Sequence, residues 1–355
     1  MPRTPFGSRD AWDAGREASL YNGPLTLAAA ASPPEYPCRA PMAHSTPAPA
    51  PFGLATAGGG AALRAQATAE TLGIVGAPFA LAAKLVEAAG FDAVYLSGAA
   101  FSAGTLGVPD IGLFTRDQLI EQTRILARAT TIPIVVDADT GFGEPAEVAE
   151  TVRLLEEAGA AAVQLEDQPG LGAGGKRCGH LGGKQVIDPG LMRERIAAAT
   201  AGRRDAATVI IARSDARSVT GLDDLLARLH AYTAAGADWL FPEALPARDE
   251  FMQLGREFAG GPLLLANMTE FGKSPLISIP DLAKVGFGAV LYPVTLLRLA
   301  MKAMEAGLAV LADEGTQESL LDLMQSREEL YEMLGYDPAD PDRHLAGPAA
   351  ARGDD

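Results

Sequence analysis

The segment from Gly170 to His180 contains residue types that could transfer a proton. It reads Gly-Leu-Gly-Ala-Gly-Gly-Lys-Arg-Cys-Gly-His, so a thiol, that of Cys178, stands beside Lys176 and Arg177. Neighbouring cations and an imidazole lower the pKa of a thiol, and a glycine-rich loop can change its position during turnover. The segment therefore predicts proton-transfer chemistry. The alternative is a surface loop that carries an incidental cysteine.

Two carboxylates that are two residues apart predict a metal site. Asp137 and Asp139 are two residues apart at the end of an apolar run, so on a strand both point to the same side. Mg²⁺ takes one or two protein carboxylates, keeps several waters and accepts substrate oxygens. Glu166 and Asp110 could hold those waters. We expect Mg²⁺, with Mn²⁺ as a substitute; the alternative is an electrostatic pairing of the two acids with Arg213.

If the substrate is an anion, basic side chains at the site must overcome the negative charge of the whole chain. The formal net charge is −16, which also disfavours nucleic acid and anionic membrane surfaces as partners. Arginine binds carboxylates through two parallel hydrogen bonds, so a di- or tricarboxylic acid fits. The side chains that could bind it are Arg213, Arg298, Lys176 and Arg177. For Arg298 the alternative is a solvated arginine on a helix.

The elements that position these residues alternate in type along the chain. Short β-branched runs alternate with helical segments, which is typical of a (β/α)₈ TIM barrel. An open doubly wound sheet is the main rival. The predicted strands are Leu72–Ala77, Ala93–Gly98, Ile132–Asp139, Ala161–Asp167, Val209–Asp215, Trp239–Ala244, Leu263–Thr269 and Ala289–Val294.

Helical segments lie between the predicted strands and after the last one. Those between them include Pro78–Ala89, Arg116–Ala129, Pro145–Ala158, Pro189–Ala199, Gly221–Ala235, Ala247–Phe258 and Ile279–Val285. Two extra C-terminal helices are predicted at Leu296–Asp313 and Gln317–Leu334. They exceed what a barrel needs, so we expect them to cover a neighbouring surface or to be exchanged between subunits.

Polar residues recur at the C-terminal ends of the predicted strands. Barrel active sites form at those ends, so the recurrence predicts an active site rather than scattered surface groups. Any one of them could instead cap a helix or a strand end. They are Ser97 and Gly98, Asp137 and Asp139, Glu166 and Asp167, Arg213 and Asp215, Glu243, and Asn267 and Thr269.

Composition divides the chain into three parts. Residues 1–60 include a long Ala/Pro/Gly-rich stretch with almost no charge, and we expect a disordered N-terminal extension. Residues 61–336 form one catalytic domain, and residues 337–355 a flexible tail. No apolar stretch long enough to span a bilayer lacks charge or glycine. The two cysteines, Cys38 and Cys178, do not suggest a disulfide framework, which favours the cytoplasm.

Seven motifs together resemble the isocitrate lyase/phosphoenolpyruvate mutase superfamily, and within it the branch of lyases that act on 2-methylisocitrate. The resemblance covers about residues 63–336. The motifs are Tyr95-Leu96-Ser97-Gly98, Val136 to Gly143, Leu165-Glu166-Asp167-Gln168, Lys176 to His180, Ala212 to Ala216, Leu240 to Ala244, and Asn267 to Gly272.

The resemblance implies a role for each part of the site. Mg²⁺ would be held by Asp137 and Asp139 with Glu166 nearby, and Ser97 and Gly98, with Ala99 beside them, would hold a substrate carboxylate. Retro-aldol cleavage would release pyruvate and succinate, and Cys178 would act as the general acid. Tyr95 and Glu243 are candidates for taking the hydroxyl proton. The remaining substrate contacts would come from Gly179, His180, Arg213, Asn267, Thr269 and Arg298. A homotetramer is also implied.

Two features of the motifs depart from the pattern of the family. Ser97 and Gly98 are followed by Ala99 and Ala100 instead of the usual run of glycines, which allows lyase or decarboxylase activity on a related diacid such as dimethylmalate, isocitrate or oxaloacetate. The glycine-rich stretch Pro169–Gly175 is longer than in the family, so we expect a raised Michaelis constant. A non-catalytic dicarboxylate-binding barrel is the third hypothesis.

Overall fold

The computed structural model describes residues 59–170, 176–177, 182–336 and 339. The first described helix, α1 (Gly59–Ala69), begins inside the extension predicted for residues 1–60, and the rest of that extension lies outside the described residues. So do most of the predicted tail and three predicted site residues, Cys178, Gly179 and His180.

Eight parallel strands close into a barrel in chain order, with β1 paired to β8. This confirms the predicted (β/α)₈ fold. The strands are β1 (Leu72–Gly76), β2 (Ala93–Leu96), β3 (Ile134–Asp137), β4 (Ala162–Glu166), β5 (Val209–Ser214), β6 (Trp239–Pro242), β7 (Leu263–Asn267) and β8 (Phe287–Tyr292).

Some polar residues predicted at the strand ends, such as Asp137 and Glu166, lie inside their strands, and others lie just beyond them. Asp139 has a φ of 51°, a left-handed conformation that a strand cannot contain. Ser97 instead caps a short helical turn, where its Oγ accepts a hydrogen bond from Ala100 N. The chain therefore turns at the residues that form the site, and the predicted strands are too long at most of these ends.

Helices cover the outside of the barrel. They are α2 (Ala80–Ala88), the short α3 (Gly98–Ala100), α4 (Arg116–Ala129), α5 (Pro145–Ala158), α6 (Pro189–Gly202), α7 (Leu222–Ala234), α8 (Arg248–Glu257), α9 (Ile279–Lys284), α10 (Thr295–Glu314) and α11 (Arg327–Leu334). The prediction of one continuous helix at Gln317–Leu334 is wrong. A 3₁₀ turn at Glu318–Leu323 precedes α11, which Ser326 starts anew through a capping box with Glu329.

Helix α1 covers the end of the barrel opposite the site. Leu63 is fully buried in the same cluster as inward-facing strand residues such as Ile74 and Val135. Arg64 donates from Nε to the carbonyl of Ala207 over 2.7 Å. A Cβ at Gly60 would lie 2.6 Å from that same carbonyl oxygen, so the close approach of α1 requires glycine there.

The C-terminal helices carry an unusual amount of exposed apolar surface. Helix α10 has no buried residue, although it is twenty residues long. Its exposed apolar side chains are Leu299, Met301, Met304, Leu308 and Leu311. Exchange of these helices between subunits stays a prediction. Within the described part of the chain, no helix has the length and apolar character needed to cross a membrane.

Candidate active site

The carboxylates of Asp137 and Asp139 meet beside the backbone of Gly98. Asp137 Oδ2 accepts a hydrogen bond of 3.2 Å from Gly98 N, and its Oδ1 accepts bonds from Asp139 N over 3.2 Å and Gln164 Nε2 over 3.0 Å. A Cβ at position 98 would lie 3.0 Å from Asp139 Oδ1 and 3.1 Å from Asp137 Oδ2. Both acids are buried. Glycine at 98 thus keeps open the space in front of the two carboxylates.

A buried lysine holds the second of these acids. Lys176 Nζ donates to Asp139 Oδ1 and to Asp110 Oδ1, the latter at 2.5 Å. Burial opposes the charge on Lys176, but Asp139 and Asp110 outweigh that effect and raise its pKa well above the ordinary value. Burial raises the pKa of Asp139 to about 7, although Lys176 lowers it. Lys176 thus contacts two acids of the site, and its contact with the substrate stays a prediction.

Arg213 forms the centre of a buried ionic cluster. Its Nε and Nη2 each donate to Asp215 over 3.1 Å, and Nη1 lies 3.3 Å from Glu166 Oε2. Glu243 Oε1 is 3.7 Å from Nη2, and the guanidinium stacks 5.2 Å from the centre of the Phe241 ring. The predicted alternative, in which Arg213 pairs with Asp137 and Asp139, does not occur: Lys176 takes Asp139 instead.

Tyr95 connects the acids to the barrel interior. Its hydroxyl donates to Gln164 Oε1, and the amide of Gln164 donates in turn to Asp137. Burial, followed by the nearby charge of Asp137, raises the pKa of Tyr95 well above its ordinary value. Tyr95 is therefore a hydrogen-bond donor in this state. Ser97 is buried beside it, and Ala99 lies in the helical turn that Ser97 caps.

The ends of β6 and β7 contribute the amide and carboxyl groups of the opposite wall. Asn267 Nδ2 donates to both oxygens of Glu243 over 3.2–3.3 Å, and its Oδ1 accepts from Thr269 N over 3.1 Å. Glu243 is fully buried. The structure thus brings together the predicted residues Glu243, Asn267 and Thr269. The amide of Asn267 and the carboxylate of Glu243 already form hydrogen bonds with each other.

Arg298 reaches the same face from the first turn of α10. Its Nε lies 3.4 Å from Glu270 Oε2, and its guanidinium is 5.4 Å from the centre of the Phe271 ring. Thr295 donates its hydroxyl to the other oxygen of Glu270. Phe271 is 93 % exposed and has a φ of 58°. Arg298 is therefore a half-exposed side chain beside Glu270 at the rim, and its contact with the substrate stays a prediction.

The carboxylate donors fit a divalent cation that also takes substrate oxygens. Glu166 Oε2 is buried without a hydrogen bond, and burial raises the pKa of Glu166 despite the opposing charges of Arg213 and Lys176. Over residues 59–170, 176–177 and 182–336, no three His, Cys, Asp or Glu side chains form a complete cation cage. Mg²⁺ needs only one or two protein carboxylates beside water and substrate, so Asp137 and Asp139 suit it.

Sequence reasoning missed three polar residues that organise the site. Gln164 joins Tyr95 to Asp137, Gln168 binds the backbone of Arg177, and Lys184 donates to Asp215 in the core. Gln164 did give a signal, since it is a polar residue inside an apolar strand and fully buried. Nothing in the pattern marked Lys184. The predicted Asp110 lies at the site, but its contact is Lys176.

The strand ends thus define an enzyme of the (β/α)₈ class whose mouth combines paired carboxylates with an arginine and a buried lysine, a donor set for oxygen-rich anions. Residues 65–312 match the family model described as phosphoenolpyruvate phosphomutase. The chain belongs to this family, which confirms the superfamily resemblance of the motifs.

Two relatives indicate the branch of the family. The chain is 49 % identical over 257 residues to "Probable 2-methylisocitrate lyase 1" of Corynebacterium glutamicum, covering 72 % of this chain and 82 % of that protein. It is 46 % identical over 254 residues to 2-methylisocitrate lyase of Aeropyrum pernix, covering 72 % and 80 %. The chain is therefore a carbon–carbon lyase, as predicted.

Solved structures of two other family members share the fold. A crystal structure of 2,3-dimethylmalate lyase, described as a PEP mutase/isocitrate lyase superfamily member, superimposes with a TM-score of 0.75 at 32 % identity, covering 85 % of this chain and 100 % of that chain. A phosphonopyruvate hydrolase complex with oxalate and Mg²⁺ gives a TM-score of 0.70 at 28 % identity, covering 78 % and 94 %.

Proposed function

We propose that this enzyme cleaves 2-methylisocitrate to pyruvate and succinate, the carbon–carbon cleavage of the methylcitrate cycle in propionate catabolism. The observation that carries the proposal is the convergence of Asp137 and Asp139 beside the amide of Gly98. Relatives that bear the name 2-methylisocitrate lyase support the substrate.

The space beside Gly98 suits the half of the substrate that becomes pyruvate. Mg²⁺ bound to Asp137 and Asp139 would polarise the carboxylate and hydroxyl oxygens of that half. Gly98 N donates to Asp137 and Ala100 N donates to Ser97 Oγ, so a substrate carboxylate that binds these N–H groups would replace those contacts. The magnesium complex of phosphonopyruvate hydrolase with oxalate supports this assignment, because oxalate resembles the carboxylate and oxygen of pyruvate enolate.

The bond changes follow from this placement. Glu243 accepts the proton of the tertiary hydroxyl, because the raised pKa of Tyr95 keeps its phenol protonated. The C–O bond of the pyruvate half then becomes a carbonyl, and the bond to the neighbouring carbon breaks. The electron pair stays on that carbon, which becomes part of succinate and needs a proton. We assign the proton donor to the thiol of Cys178. Arg213, Asn267, Thr269 and Arg298 would neutralise and orient the succinyl carboxylates, while Gly179 and His180 complete the site.

A panel of substrates tests the proposal. Purified enzyme with Mg²⁺ should release pyruvate from racemic 2-methylisocitrate with a higher kcat/KM than it shows for isocitrate or for cleavage of 2,3-dimethylmalate. The proposal would be wrong if another diacid gave the highest value. A second candidate, lyase activity on 2,3-dimethylmalate, is favoured by the 32 % identity to that enzyme in a superposition that covers 85 % of this chain, and the same panel with propionate detection distinguishes it. No turnover of any diacid, with tight binding, would support the non-catalytic alternative.

Assembly and location complete the proposal. The exposed apolar side chains of α10 favour contact with a second copy of the chain, because isolated molecules rarely expose so many large apolar residues on one helix. We therefore propose a homotetramer in which the C-terminal helices cover neighbouring subunits. An acidic chain with two cysteines fits the cytoplasm.

A further inference from the structure

The side chain of Gln168 is fully buried between the site and the segment Lys176–Arg177. Its Oε1 accepts a 2.9 Å hydrogen bond from Arg177 N, and its Nε2 donates a 2.9 Å bond to Arg177 O. One amide group thus binds both backbone groups of one residue, as a neighbouring strand would.

The same amide also contacts two acids of the site. Its Nε2 lies 3.0 Å from Glu166 Oε1 and 3.4 Å from Asp215 Oδ2. The three acceptors, on Arg177, Glu166 and Asp215, all face Nε2 of Gln168, and the single donor, Arg177 N, faces its Oε1. The surroundings therefore fix the orientation of the amide, and a carboxylate of the same size could not replace it without facing two other carboxylates and a carbonyl oxygen.

A lysine contact strengthens the attachment. Lys176, the residue before Arg177, donates to Asp139 and Asp110, so acids of the site hold Lys176 while Gln168 holds Arg177. The side chain of Arg177 itself is exposed, and its guanidinium lies 3.7 Å from where a Cβ of Gly183 would be. The position of Arg177 thus depends on its backbone, which Gln168 holds.

We propose that Gln168 is a positioning residue that fixes the main chain at Arg177 against Glu166 and Asp215. The proposal rests on the proposed function only in its kinetic consequence: the residue after Arg177 in the sequence is the one we assign as proton donor. A proton donor placed loosely lowers the rate of the chemical step more than it weakens substrate binding.

The physical prediction can be measured without turnover. In the wild-type enzyme, the amide hydrogen of Arg177 should exchange with solvent at least about tenfold more slowly than in an unstructured peptide, because its acceptor is buried. In Gln168→Met, trypsin should cleave after Lys176 or Arg177 at least about tenfold faster than in wild type, a ratio that corresponds to about 1.4 kcal/mol of local opening. Mass spectrometry of the fragments gives the cleavage site.

Two further variants separate positioning from general damage. Gln168→Glu, which keeps the size and adds a charge, should raise tryptic cleavage at this segment at least as much as Gln168→Met. Gln122→Met replaces a buried glutamine of α4 away from the site and should leave the cleavage rate unchanged. With 2-methylisocitrate, Gln168→Met should lower kcat about tenfold while KM changes less than about threefold.

The outcomes are distinct. Cleavage rates equal to wild type in both Gln168 variants, or an Arg177 amide that exchanges at the unprotected rate, would overturn the proposal. A drop in kcat without faster cleavage would also overturn it, since the main chain would then be held by something else. If wild type releases no pyruvate from any diacid, the proposed function fails, while the exchange and cleavage results still decide the role of Gln168.

Discussion

Lys176 and Asp139 form a buried ion pair inside the group of carboxylates that we assign to the metal site. The ammonium group also contacts Asp110, so one lysine neutralises two acids that would otherwise repel each other. Lys176 lowers the pKa of Asp139, which burial nevertheless raises to about 7, so the pair offsets part of the cost of burying this acid in a chain of net charge −16. It also places a residue of the cysteine-containing segment directly on the proposed cation site.

Replacing Lys176 by Met should damage both stability and activity. Removing one partner of a buried ion pair leaves the other charge uncompensated, which costs about 3–5 kcal/mol. We expect a lower unfolding midpoint in urea and at least about a 100-fold loss of kcat/KM with 2-methylisocitrate. Lys284→Met removes an exposed lysine that pairs with Asp281 away from the site and should behave as wild type. Normal kcat/KM in Lys176→Met would contradict the importance of the pair.

Replacing Cys178 by Ser should stop cleavage while ligand binding persists. A serine hydroxyl is a far weaker acid than a thiol, so it cannot supply the proton that succinate requires. We expect pyruvate release to fall by at least about 1,000-fold. Calorimetry should detect oxalate binding, in the presence of Mg²⁺, within about threefold of the wild-type affinity. Cys38→Ser is the matched control for a general effect of thiol loss, and full activity in Cys178→Ser would exclude the thiol as the acid.

Removal of divalent cations should abolish turnover reversibly. We expect EDTA to eliminate pyruvate release and Mg²⁺ to restore it, with Mn²⁺ as a partial substitute. Mn²⁺ binding measured by electron paramagnetic resonance provides a second readout. Asp137→Asn should weaken it by at least about tenfold, whereas Asp249→Asn, on the outer helix α8, should not. Activity that persists in EDTA would rule out the assigned cofactor.

Glu270 should act on substrate affinity through Arg298. Its carboxylate contacts Arg298 Nε on one oxygen and accepts the hydroxyl of Thr295 on the other. Glu270→Gln keeps the size but removes the charge that orients the guanidinium, so KM should rise about fivefold while kcat stays within about twofold. The control is Glu305→Gln, which changes an exposed acid on α10, the helix that carries Arg298. If KM does not change, Arg298 does not depend on Glu270.

A charge on the apolar face of α10 should disrupt the assembly. Leu308 is 64 % exposed in the single chain. If a neighbouring subunit covers it, Leu308→Glu buries an unpaired charge and should yield a smaller species in light scattering. Lys302→Glu changes the charge of a solvent-facing position on the same helix and should leave the mass unchanged. An unchanged mass in Leu308→Glu would exclude this face from the contact.

The parts of the fold that depend on local pattern could be predicted from the sequence. Periodic apolar runs fixed the eight strands, and α4 and α5 have the predicted bounds, because a capping threonine or a proline at the first turn marks where each helix begins. The convergence of Asp137 and Asp139 is expected from their spacing on one strand, but Asp139 follows β3 in a left-handed conformation, so the turn after the strand brings the two carboxylates together.

Partners that are distant in sequence could not be predicted in the same way. Lys176 meets Asp110 across 66 positions and Asp139 across 37. Several acids and several cations lie at the mouth, and each pairing has a similar energy, so only the three-dimensional positions decide among them. The same holds for Arg213, which meets Glu166 at the end of β4 and Glu243 after β6.

The connection between β4 and α6 is attached by a lysine on each side of Cys178. Lys176 is bound to Asp139, which follows β3, and Lys184 to Asp215, which follows β5. The two strands that these acids follow, β3 and β5, flank β4 in the barrel. Insertions or deletions between the lysines and the cysteine can therefore change the length of the connection without moving its attachment points.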